Sequence, residues 1–537
     1  MLMKSDNWYM NLVFYEINPR TFFDANQDGI GDLKGITQKL DYIKGLGVDC
    51  IWLLPIYPSP LKDGGYDILD YYGIHPDFGT IDDLKVLISE THNRGLRIIF
   101  DLVVNHTSDQ CEWFKAAESD PDSPYHDYYV WSDSDQRYRD ARIIFLDTEK
   151  SNWTWNEKAQ KYFWHRFYSS QPDLNYDNPA VREEMKNIMR FWLEMGIDGF
   201  RADAVPYLIE REGTNCENLP ETHTYLKELR QLMDEEFPGR ILLAEANQWP
   251  EDLIPYFSDG DEIHMAFNFP IMPRIFKALA LGNNESLIQT LQTTPPIPAN
   301  CQWCTFLRNH DELTLEMVTE EDRQLLWEVY APEKRMRLNL GIRRRLAPLL
   351  NGDTRKIELL YALLFSLPGV PVIYYGDEIG MGDNLRLNDR DGVRTPMQWS
   401  DLPNAGFSRC EPDKLYLPVI DHGMFDYRRI NVESQKRDDQ SLLNRLRSLI
   451  HTRKKFPIFS TQIYKIGNTA NPSVFSVVRK EFLCHHNLSD HPQSIALEEG
   501  DYQVIHASMP NISDHMVINE MLVLEPYTYG WLIKDKN

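Results

Sequence analysis

The sequence predicts an α/β fold made of a closed (β/α)8 barrel, a subdomain inserted after its third strand, and a C-terminal antiparallel β-sandwich domain. One observation is that eight short apolar runs, most of them followed by a helical pattern, lie between residues 12 and 375. Another is that this alternation breaks over residues 107–176 and gives way after about residue 455 to short alternating runs. Eight parallel strands with intervening helices close into a TIM barrel, whose functional loops follow the strands.

The predicted barrel strands are short apolar runs at residues 12–17, 50–54, 97–104, 199–203, 241–244, 263–267, 303–307 and 370–375. Apolar residues recur at helical spacing over residues 33–47, 81–94, 181–196 and 222–236. Glycines such as Gly47, Gly95 and Gly196 stand where the first three helices are expected to end, because glycine tolerates the left-handed conformation that commonly ends a helix.

The predicted domain boundaries follow from where the alternation stops. Residues 107–176 are rich in Asp, Ser, Trp and Tyr and are too long for an ordinary loop, so we expect an inserted subdomain there. Residues 1–106 and 177–455 then form the two parts of the barrel. Residues 456–537 contain short alternating runs and are expected to form the separate β-sandwich domain.

Composition narrows the kind of partner that the protein takes. The net charge of −25 argues against nucleic acid or an anionic membrane, but it does not repel a neutral ligand. No stretch of about twenty apolar residues predicts a membrane span. The seven cysteines are scattered and odd in number, which is not the pattern of a disulfide framework. We expect a cytoplasmic protein that acts on a small molecule, with a homo-oligomer left open.

Charged residues stand at the ends of four predicted strands. In Gly199–Asp203, Arg201 and Asp203 are two residues apart and therefore point to the same side of a strand. Alone, this pair is equally well explained as a structural ion pair. In a barrel, however, the carboxyl ends of the strands converge on one pit. The other ionisable residues expected at that pit are His106, Glu245, His310 and Asp311.

Paired carboxylates in such a pit suit the cleavage of a glycosidic bond. One ionised carboxylate attacks the anomeric carbon, while the other is protonated and donates its proton to the leaving oxygen. A separation of about 5–5.5 Å is typical of the double displacement that retains configuration. Arg201 would supply the cation beside Asp203, and a third carboxylate would hold sugar hydroxyl groups.

These motifs resemble those of the α-amylase superfamily, glycoside hydrolase family thirteen. The matching strings are Asp101-Leu-Val-Val-Asn-His106, Gly199-Phe-Arg-Ala-Asp203, Glu245 after the fifth strand, and Asn309-His-Asp311. The resemblance implies that Asp203 is the nucleophile, Glu245 the general acid/base and Asp311 the stabiliser of the transition state. It also implies that the cleaved glucose is held by His106, Arg201 and His310.

The loop Lys62-Asp-Gly-Gly-Tyr-Asp67 resembles the family's second-strand loop. By this resemblance Tyr66 stacks under the sugar ring and Asp63 binds its distal hydroxyl groups. Arg394 is expected to pair with Asp63, with Arg390 as a second candidate, and Gln171 is expected to join the sugar-binding residues. Such a closed end implies a pocket for a terminal glucose, although an ordinary loop ion pair remains an alternative.

Within the superfamily, four strings resemble the maltose glucosylmutases, also called trehalose synthases: residues 51–60, 210–218, 245–249 and 341–348. The implied reaction interconverts maltose and trehalose by intramolecular transglucosylation, and longer α-glucans stay open as substrates. The insert near residues 142–171 and Asn247 would close the site against water. A retaining α-glucosidase or α-amylase is the alternative, and a non-catalytic relative is a third reading. No organic cofactor is expected.

One or two structural calcium sites are expected, with magnesium as an alternative ion. The first lies in an acidic loop with the oxygen-ligand spacing of the start of an EF-hand, although the loop lacks the distal Glu and a plain polar turn is the alternative. Its expected ligands are Asp24, Asn26, Asp28, Ile30 and Asp32. The second site is implied by the family resemblance. Its expected ligands are Asn105, Asp173, Glu210 and the backbone oxygens of Tyr207 and Leu208.

Overall fold

A closed barrel of eight parallel strands organises the computed structural model, which describes residues 5–467, 470–509 and 512–535. The strands are β1 (Phe14–Ile17), β2 (Cys50–Leu53), β3 (Arg97–Val103), β4 (Gly199–Asp203), β5 (Ile241–Ala244), β6 (Met265–Phe267), β7 (Gln302–Phe306) and β8 (Val370–Tyr374). Their hydrogen-bonded order is β1-β8-β7-β6-β5-β4-β3-β2, returning to β1. This confirms the predicted barrel, with strand ends within about two residues of those expected.

Amphipathic helices surround the barrel and bury their apolar faces against it. The helix Leu33–Leu46 begins where Asp32 accepts a hydrogen bond from the Gly35 backbone and ends at Gly47, which has a φ of 95°. The other long barrel helices are Ile81–Asn93, Pro179–Glu194, Pro220–Glu236, Ile271–Leu281, Glu285–Thr293, Thr354–Ser366 and Leu442–Lys455. Within the described residues, no helix is long and apolar enough to span a bilayer.

Glycine is required at the start of β4, the strand that carries Arg201 and Asp203. Gly199 has a φ of 150°, and a Cβ atom there would lie 2.2 Å from the Ile241 carbonyl oxygen. No larger side chain could occupy that contact without moving β5, the neighbouring strand.

Two excursions rise above the carboxyl ends of the strands. The first follows β3 and contains the helix Glu112–Ser119 and a three-stranded antiparallel sheet. Its strands are Trp131–Ser132, Trp153–Asn156 and Lys161–Trp164. The second follows β7 and was not predicted. It contains the helix Glu320–Tyr330 and a small sheet of Leu313–Thr314, Arg337–Leu338 and Gly341–Ile342.

The C-terminal part is antiparallel, as predicted. Sheets of six and two strands share one apolar cluster, to which Val504 and Leu532 contribute from the larger sheet and Ile495 and Leu522 from the smaller. The two sheets therefore pack as a sandwich. The larger contains Lys465–Ile466, Val474–Arg479, Phe482–Asn487, Tyr502–Ala507, Val517–Ile518 and Tyr529–Lys534, and the smaller contains Gln493–Ala496 and Met521–Leu524. The exact domain boundaries stay predictions.

Candidate active site

Arg201 is the centre of a buried cluster of carboxyl groups at the carboxyl end of the barrel. Its guanidinium contacts the carboxyl groups of Asp101 and Asp203 through one nitrogen and that of Glu245, at 2.7 Å, through another. These residues come from β3, from β4 and from the end of β5, which are neighbours in the barrel. The expected convergence of the strand ends is therefore present, and one buried cation is shared by three acids.

The carboxyl groups of Asp203 and Glu245 lie close enough to share a hydrogen bond. Inverting glycosidases keep their two carboxyl groups about 6.5–9.5 Å apart to admit a water molecule, so this contact favours the retaining geometry. After Asp203 the chain turns sharply at Ala204, which has a φ of 51° and whose backbone N–H donates to Glu245 at 3.3 Å. This turn fixes the nucleophile candidate against the acid candidate.

Burial and charge separate the acid strengths of these two groups. Burial raises the pKa of Asp203 to about 6, while the neighbouring Arg201 guanidinium limits the shift. Burial raises the pKa of Glu245 to about 8, with Asp203 and Asp311 adding to the effect. Near neutral pH, Asp203 is therefore mainly ionised and Glu245 mainly protonated, as a nucleophile and a general acid require.

These shifts predict a bell-shaped pH dependence. We expect kcat/KM to rise through about pH 6, as Asp203 loses its proton, and to fall above about pH 8, as Glu245 loses its own. Initial rates measured from about pH 4 to about pH 10 would test this. Because the two groups interact, the limbs report the pair rather than each residue alone. A profile without an alkaline limb would contradict the assignment of Glu245 as the acid.

Asp311 is held ionised by its neighbours at the end of β7. Burial opposes ionisation, but His310 and the Arg390 and Arg394 guanidiniums outweigh it and lower the pKa of Asp311. Arg394 donates to the Asp311 carboxylate at 3.0 Å and to the His310 carbonyl oxygen at 2.9 Å. The third carboxylate is therefore available as a fixed negative charge beside the reacting pair.

His310 is positioned by Glu16, a residue for which the sequence analysis gave no role. The Glu16 carboxyl group, in the middle of β1, accepts from the His310 backbone at 3.1 Å and contacts the ring Nδ1 at 2.6 Å. The ring Nε2 contacts the Tyr66 hydroxyl at 2.9 Å, and the two rings stack. The signal that could have revealed Glu16 is an acid inside an apolar strand, which burial disfavours unless it has a partner.

The ion pair with Asp63 is made by Arg390 and not by Arg394, which corrects the preferred pairing and favours the second candidate. The physical reason is the short helical turn Asp391–Val393, after which Arg394 is committed to Asp311 and the His310 carbonyl oxygen. The other Asp63 oxygen accepts a hydrogen bond from Gln171 of the insert at 3.0 Å. Gln171, which was expected to bind sugar, therefore lies beside Asp63.

The cluster borders a cavity of about 120 Å³, well above the roughly 10–15 Å³ that one water requires. His106 lines it, and the ring Nε2 of this buried histidine has no hydrogen-bond partner among the described residues. Burial lowers the pKa of His106 to about 3, so the ring is neutral and could exchange a hydrogen bond with a sugar hydroxyl. The apolar lining consists of Ile144, Phe145, Phe167, Ala204 and Phe269.

The side chains at the second predicted metal site fit a cation, because three of their buried oxygen atoms lack a hydrogen-bond partner in the part of the chain that the structure describes. Asn105 Oδ1, Asp173 Oδ2 and Glu210 Oε1 are buried and have no hydrogen-bond partner within the described ranges. The three lie together, since Asn105 affects the pKa of Asp173 and Asp173 affects that of Glu210. Burial raises the pKa of Asp173 to about 8 and that of Glu210 well above its usual range. A hard cation prefers such oxygen ligands and would offset this cost.

The first predicted metal loop has fewer oxygen atoms available to bind an ion. Both oxygens of Asp24 and both oxygens of Asp32 accept hydrogen bonds, mainly from the loop's own backbone N–H groups. Asn26 and Asp28 hydrogen-bond to each other, and Ile30 donates to Asp28. No group of three or more His, Cys, Asp or Glu side chains in the described part of the chain could hold a metal. Calcium at this loop stays a prediction.

Comparison with known proteins identifies the family. The chain matches the family model "Alpha amylase, catalytic domain" over residues 16–337 and 342–462. The chain belongs to the α-amylase family. Asp203, Glu245 and Asp311 all lie inside the matched residues of this family member.

The names of curated relatives of this α-amylase family member are more specific than the family name. "Trehalose synthase/amylase TreS" of Mycolicibacterium smegmatis is 56% identical over 508 residues, which cover 91% of this chain and 86% of that protein. "Trehalose synthase" of Pimelobacter sp. is 52% identical over 520 residues, covering 94% and 91% of the two chains. Among solved structures, the trehalulose synthase MutB of Pseudomonas mesoacidophila MX-45 aligns with a TM-score of 0.80 at 28% identity, covering 98% of this chain and 99% of that one.

Proposed function

We propose that this enzyme interconverts maltose and trehalose by intramolecular transglucosylation, with a retaining double displacement. The observation that carries the proposal is the cavity bordered by Asp203, Glu245 and Asp311, with Asp203 and Glu245 joined through Arg201. Support for the reaction class comes from relatives at 52–56% identity whose names include trehalose synthase. Longer α-glucans remain candidate substrates of the same cavity.

In the first step the Asp203 carboxylate attacks the anomeric carbon of the non-reducing glucose of maltose. The bond from that carbon to the glycosidic oxygen breaks, and the oxygen takes the proton held by Glu245. The products are a glucosyl ester on Asp203, a free glucose in the cavity and an ionised Glu245. Arg201 stabilises this ionised carboxylate through the 2.7 Å contact, and Asp311 supplies negative charge near the developing oxocarbenium ion.

In the second step the retained glucose turns and presents its anomeric hydroxyl group. Glu245 removes the proton, the hydroxyl oxygen attacks the glucosyl carbon and the ester bond to Asp203 breaks, which restores both carboxyl groups. Water in place of that hydroxyl would give hydrolysis by the same residues. The ratio of the two outcomes therefore depends on how well the cavity excludes water while the glucose turns.

A network of ion pairs and hydrogen bonds, called the roof below, joins the insert to other loops beside the cavity. Arg142 of the insert contacts Glu217 at 2.8 Å and Glu316 at 3.0 Å and donates to the Tyr207 hydroxyl at 3.1 Å. Asn247 donates to the same Glu316 oxygen at 3.0 Å. Asn247, Tyr207 and Glu316 all line the cavity. Opening this roof would admit water to the glucosyl ester.

Glu316→Gln is expected to raise the share of hydrolysis. The substitution keeps the side-chain volume but removes the charge that Arg142 contacts. A roof weakened by about 1–1.4 kcal/mol would open roughly 5–10 times as often. The measurement is the ratio of glucose released to trehalose formed from maltose. Glu321→Gln, at an exposed position nearby in the chain, is the matched control. An unchanged ratio in Glu316→Gln would exclude the roof as the barrier to water.

Incubation with maltose, followed by ¹H NMR of the products, tests the proposed function. We expect trehalose as the main product and glucose as the minor one, and maltose again when trehalose is supplied. The second candidate, a retaining α-glucosidase or α-amylase, is favoured by the word amylase in the name of the mycolicibacterial relative. Glucose as the sole product would support that candidate and refute the isomerase.

We also infer that a calcium ion is held at the second predicted site. Asn105, Asp173 and Glu210 would bind it through side-chain oxygens, and Tyr207 and Leu208 through backbone oxygens. The ion would neutralise carboxyl groups between the barrel and the insert, and no step of the reaction uses it. We also propose calcium at the Asp24–Asp32 loop, for which the ligand spacing is the support. A cytoplasmic location is proposed as well, because the seven cysteines are unpaired.

Removing the ion is expected to lower the melting temperature, and more at pH 8 than at pH 5. Without a cation, folding raises the pKa values of Asp173 and Glu210, so stability falls as pH rises from their unfolded values. A bound cation reverses this, and its contribution grows with pH. Calorimetry with EDTA and with added Ca²⁺ measures the effect, and Glu210→Gln should largely remove it. A melt that EDTA leaves unchanged at both pH values would refute the site.

A further inference from the structure

A basic pocket lies on the outer side of the barrel, apart from the residues that line the active-site cavity. It is a cavity of about 690 Å³ between the helix Leu33–Leu46, the segment 399–410 and the short helix Val432–Lys436. Lys39 and Lys436 both line this pocket. Nothing in the proposed reaction uses either residue.

Lys39 is held in place without an anionic partner. Its Nζ stands 3.8 Å from the centre of the Phe23 ring and 4.2 Å from that of Trp399. The indole is itself fixed, because its N–H donates to the Phe22 carbonyl oxygen at 2.7 Å. Two aromatic faces attract the ammonium through their quadrupoles but cannot neutralise its charge.

The surrounding charges make this arrangement unusual. Within the described residues, no carboxylate lies within ion-pair distance, 4.0 Å, of Lys39, Lys436 or nearby Arg447, although the chain has 81 acidic residues against 56 basic ones. Arg447 donates to the Gly45 carbonyl oxygen and to Asn444 instead. Burial and then Lys436 lower the pKa of Lys39 to about 8, and burial and then Arg447 lower that of Lys436. Burial and neighbouring positive charge therefore destabilise both ammonium groups, although Glu433 partly offsets this at Lys436.

The two acids that line the pocket are already engaged. Both oxygens of Asp24 accept hydrogen bonds from the chain, and Glu433 pairs with Arg437. Neutral groups that could hydrogen-bond a ligand surround the lysines. They are Gln27, Gln38, Ser400, Asn404 and Ser408. A third positive side chain, Arg409, also lines the pocket.

We propose that this pocket binds the phosphate group of a small phosphorylated metabolite between Lys39 and Lys436. A compact dianion would relieve the repulsion between the two ammonium groups and supply the counter-charge that the chain does not provide. Ammonium groups act as point charges toward phosphate, so the site selects for the anion rather than for a particular ring. The metabolite itself is therefore defined here only by its phosphate group.

Protection of Lys39 from acetylation is the direct test. The full chain is treated with an amine-reactive acetyl ester near pH 8, in inorganic phosphate or in chloride of equal ionic strength, and each lysine is followed by peptide mass mapping. At ten times its dissociation constant, phosphate should slow acetylation of Lys39 about tenfold, because only the empty site reacts. Lys44, exposed on the same helix, is the internal control and should be unaffected.

Two variants make the result decisive. Lys436→Gln should abolish most of the protection of Lys39, whereas Lys44→Met should leave it intact. Glucose 6-phosphate and adenosine monophosphate distinguish the sources: stronger protection by one of them assigns the site to that class, and equal protection assigns it to the phosphate group alone. Equal rates in phosphate and chloride would overturn the proposal. So would protection that Lys436→Gln leaves undiminished.

Discussion

Replacing Asp203 with Asn is expected to reduce turnover of maltose by roughly 10⁴–10⁶-fold while the fold stays intact. The amide is close in volume to the carboxylate and can still accept a hydrogen bond from Arg201. It cannot, however, form the glucosyl ester, because a neutral amide is a poor nucleophile. Without that ester neither isomerisation nor hydrolysis has a path through the cavity, so both activities should be lost together.

The loss must be separated from a loss of folding. Circular dichroism and the melting temperature of Asp203→Asn should stay close to those of the unaltered protein, since Arg201 keeps two other carboxyl partners. Asp261→Asn, which neutralises an exposed acid paired with Lys227, is the matched control and should retain full activity. If Asp203→Asn kept more than about one hundredth of the rate, another residue would have to be the nucleophile.

Replacing Arg201 with Met is expected to damage both stability and activity. The guanidinium is 1% exposed and contacts three carboxyl groups, so its removal leaves Asp101, Asp203 and Glu245 buried without their shared cation. Breaking a buried charge pair on one side costs about 3–5 kcal/mol in the free energy of unfolding. We expect turnover to fall by at least about 10²-fold as well, because Asp203 would hold its proton more tightly.

The pH dependence of the stability loss in Arg201→Met distinguishes a lost charge from lost packing. Without the cation, the folded-state pKa values of the three acids rise further above their unfolded values. Folding then takes up protons, so the loss of stability should be larger at pH 8 than at pH 5. Denaturant unfolding at both pH values measures this. Arg190→Met, at a partly exposed ion pair, should cost about 0–1 kcal/mol at either pH. A loss independent of pH would point to packing instead of charge.

The barrel and the positions of its catalytic candidates could be predicted because both depend on short-range patterns. A buried strand such as Gly199–Asp203 is apolar except where its last residues face the open end of the barrel. Arg201 and Asp203 therefore indicate where the strand ends. Parallel topology then brings residues more than 100 positions apart, such as Asp203 and Asp311, to one rim. The sequence therefore predicted the convergence that the Arg201 cluster shows.

Contacts made by irregular loops could not be predicted in the same way. Arg390 and Arg394 lie four residues apart, and sequence spacing does not say which reaches Asp63, because the intervening helical turn decides it. Glu316 stands in the excursion after β7, where the sequence shows no clear periodicity, and its contact with Arg142 spans 174 positions. Glu16 was overlooked because a single acid in an apolar strand gives no periodic signal.

At the second predicted metal site, the sequence resemblance and the unpartnered buried oxygen atoms point to the same residues. Family resemblance proposed Asn105, Asp173 and Glu210 as ligands, and the fold independently leaves an oxygen of each buried without a partner. At the Asp24–Asp32 loop the same kind of spacing produced carboxylates that their own backbone already satisfies. Ligand spacing alone therefore did not distinguish a binding loop from a polar turn, whereas the count of unmade hydrogen bonds did favour one site over the other.

The central claim, that a glucose is cleaved, retained and rejoined within one cavity, is tested most directly by isotopic mixing. Equal amounts of unlabelled and fully ¹³C-labelled maltose are incubated together, and the trehalose is analysed by mass spectrometry before equilibrium is approached. Retention predicts trehalose that is either unlabelled or labelled in both rings. Half of the trehalose labelled in one ring only would show that the glucose leaves the cavity, and would contradict the claim.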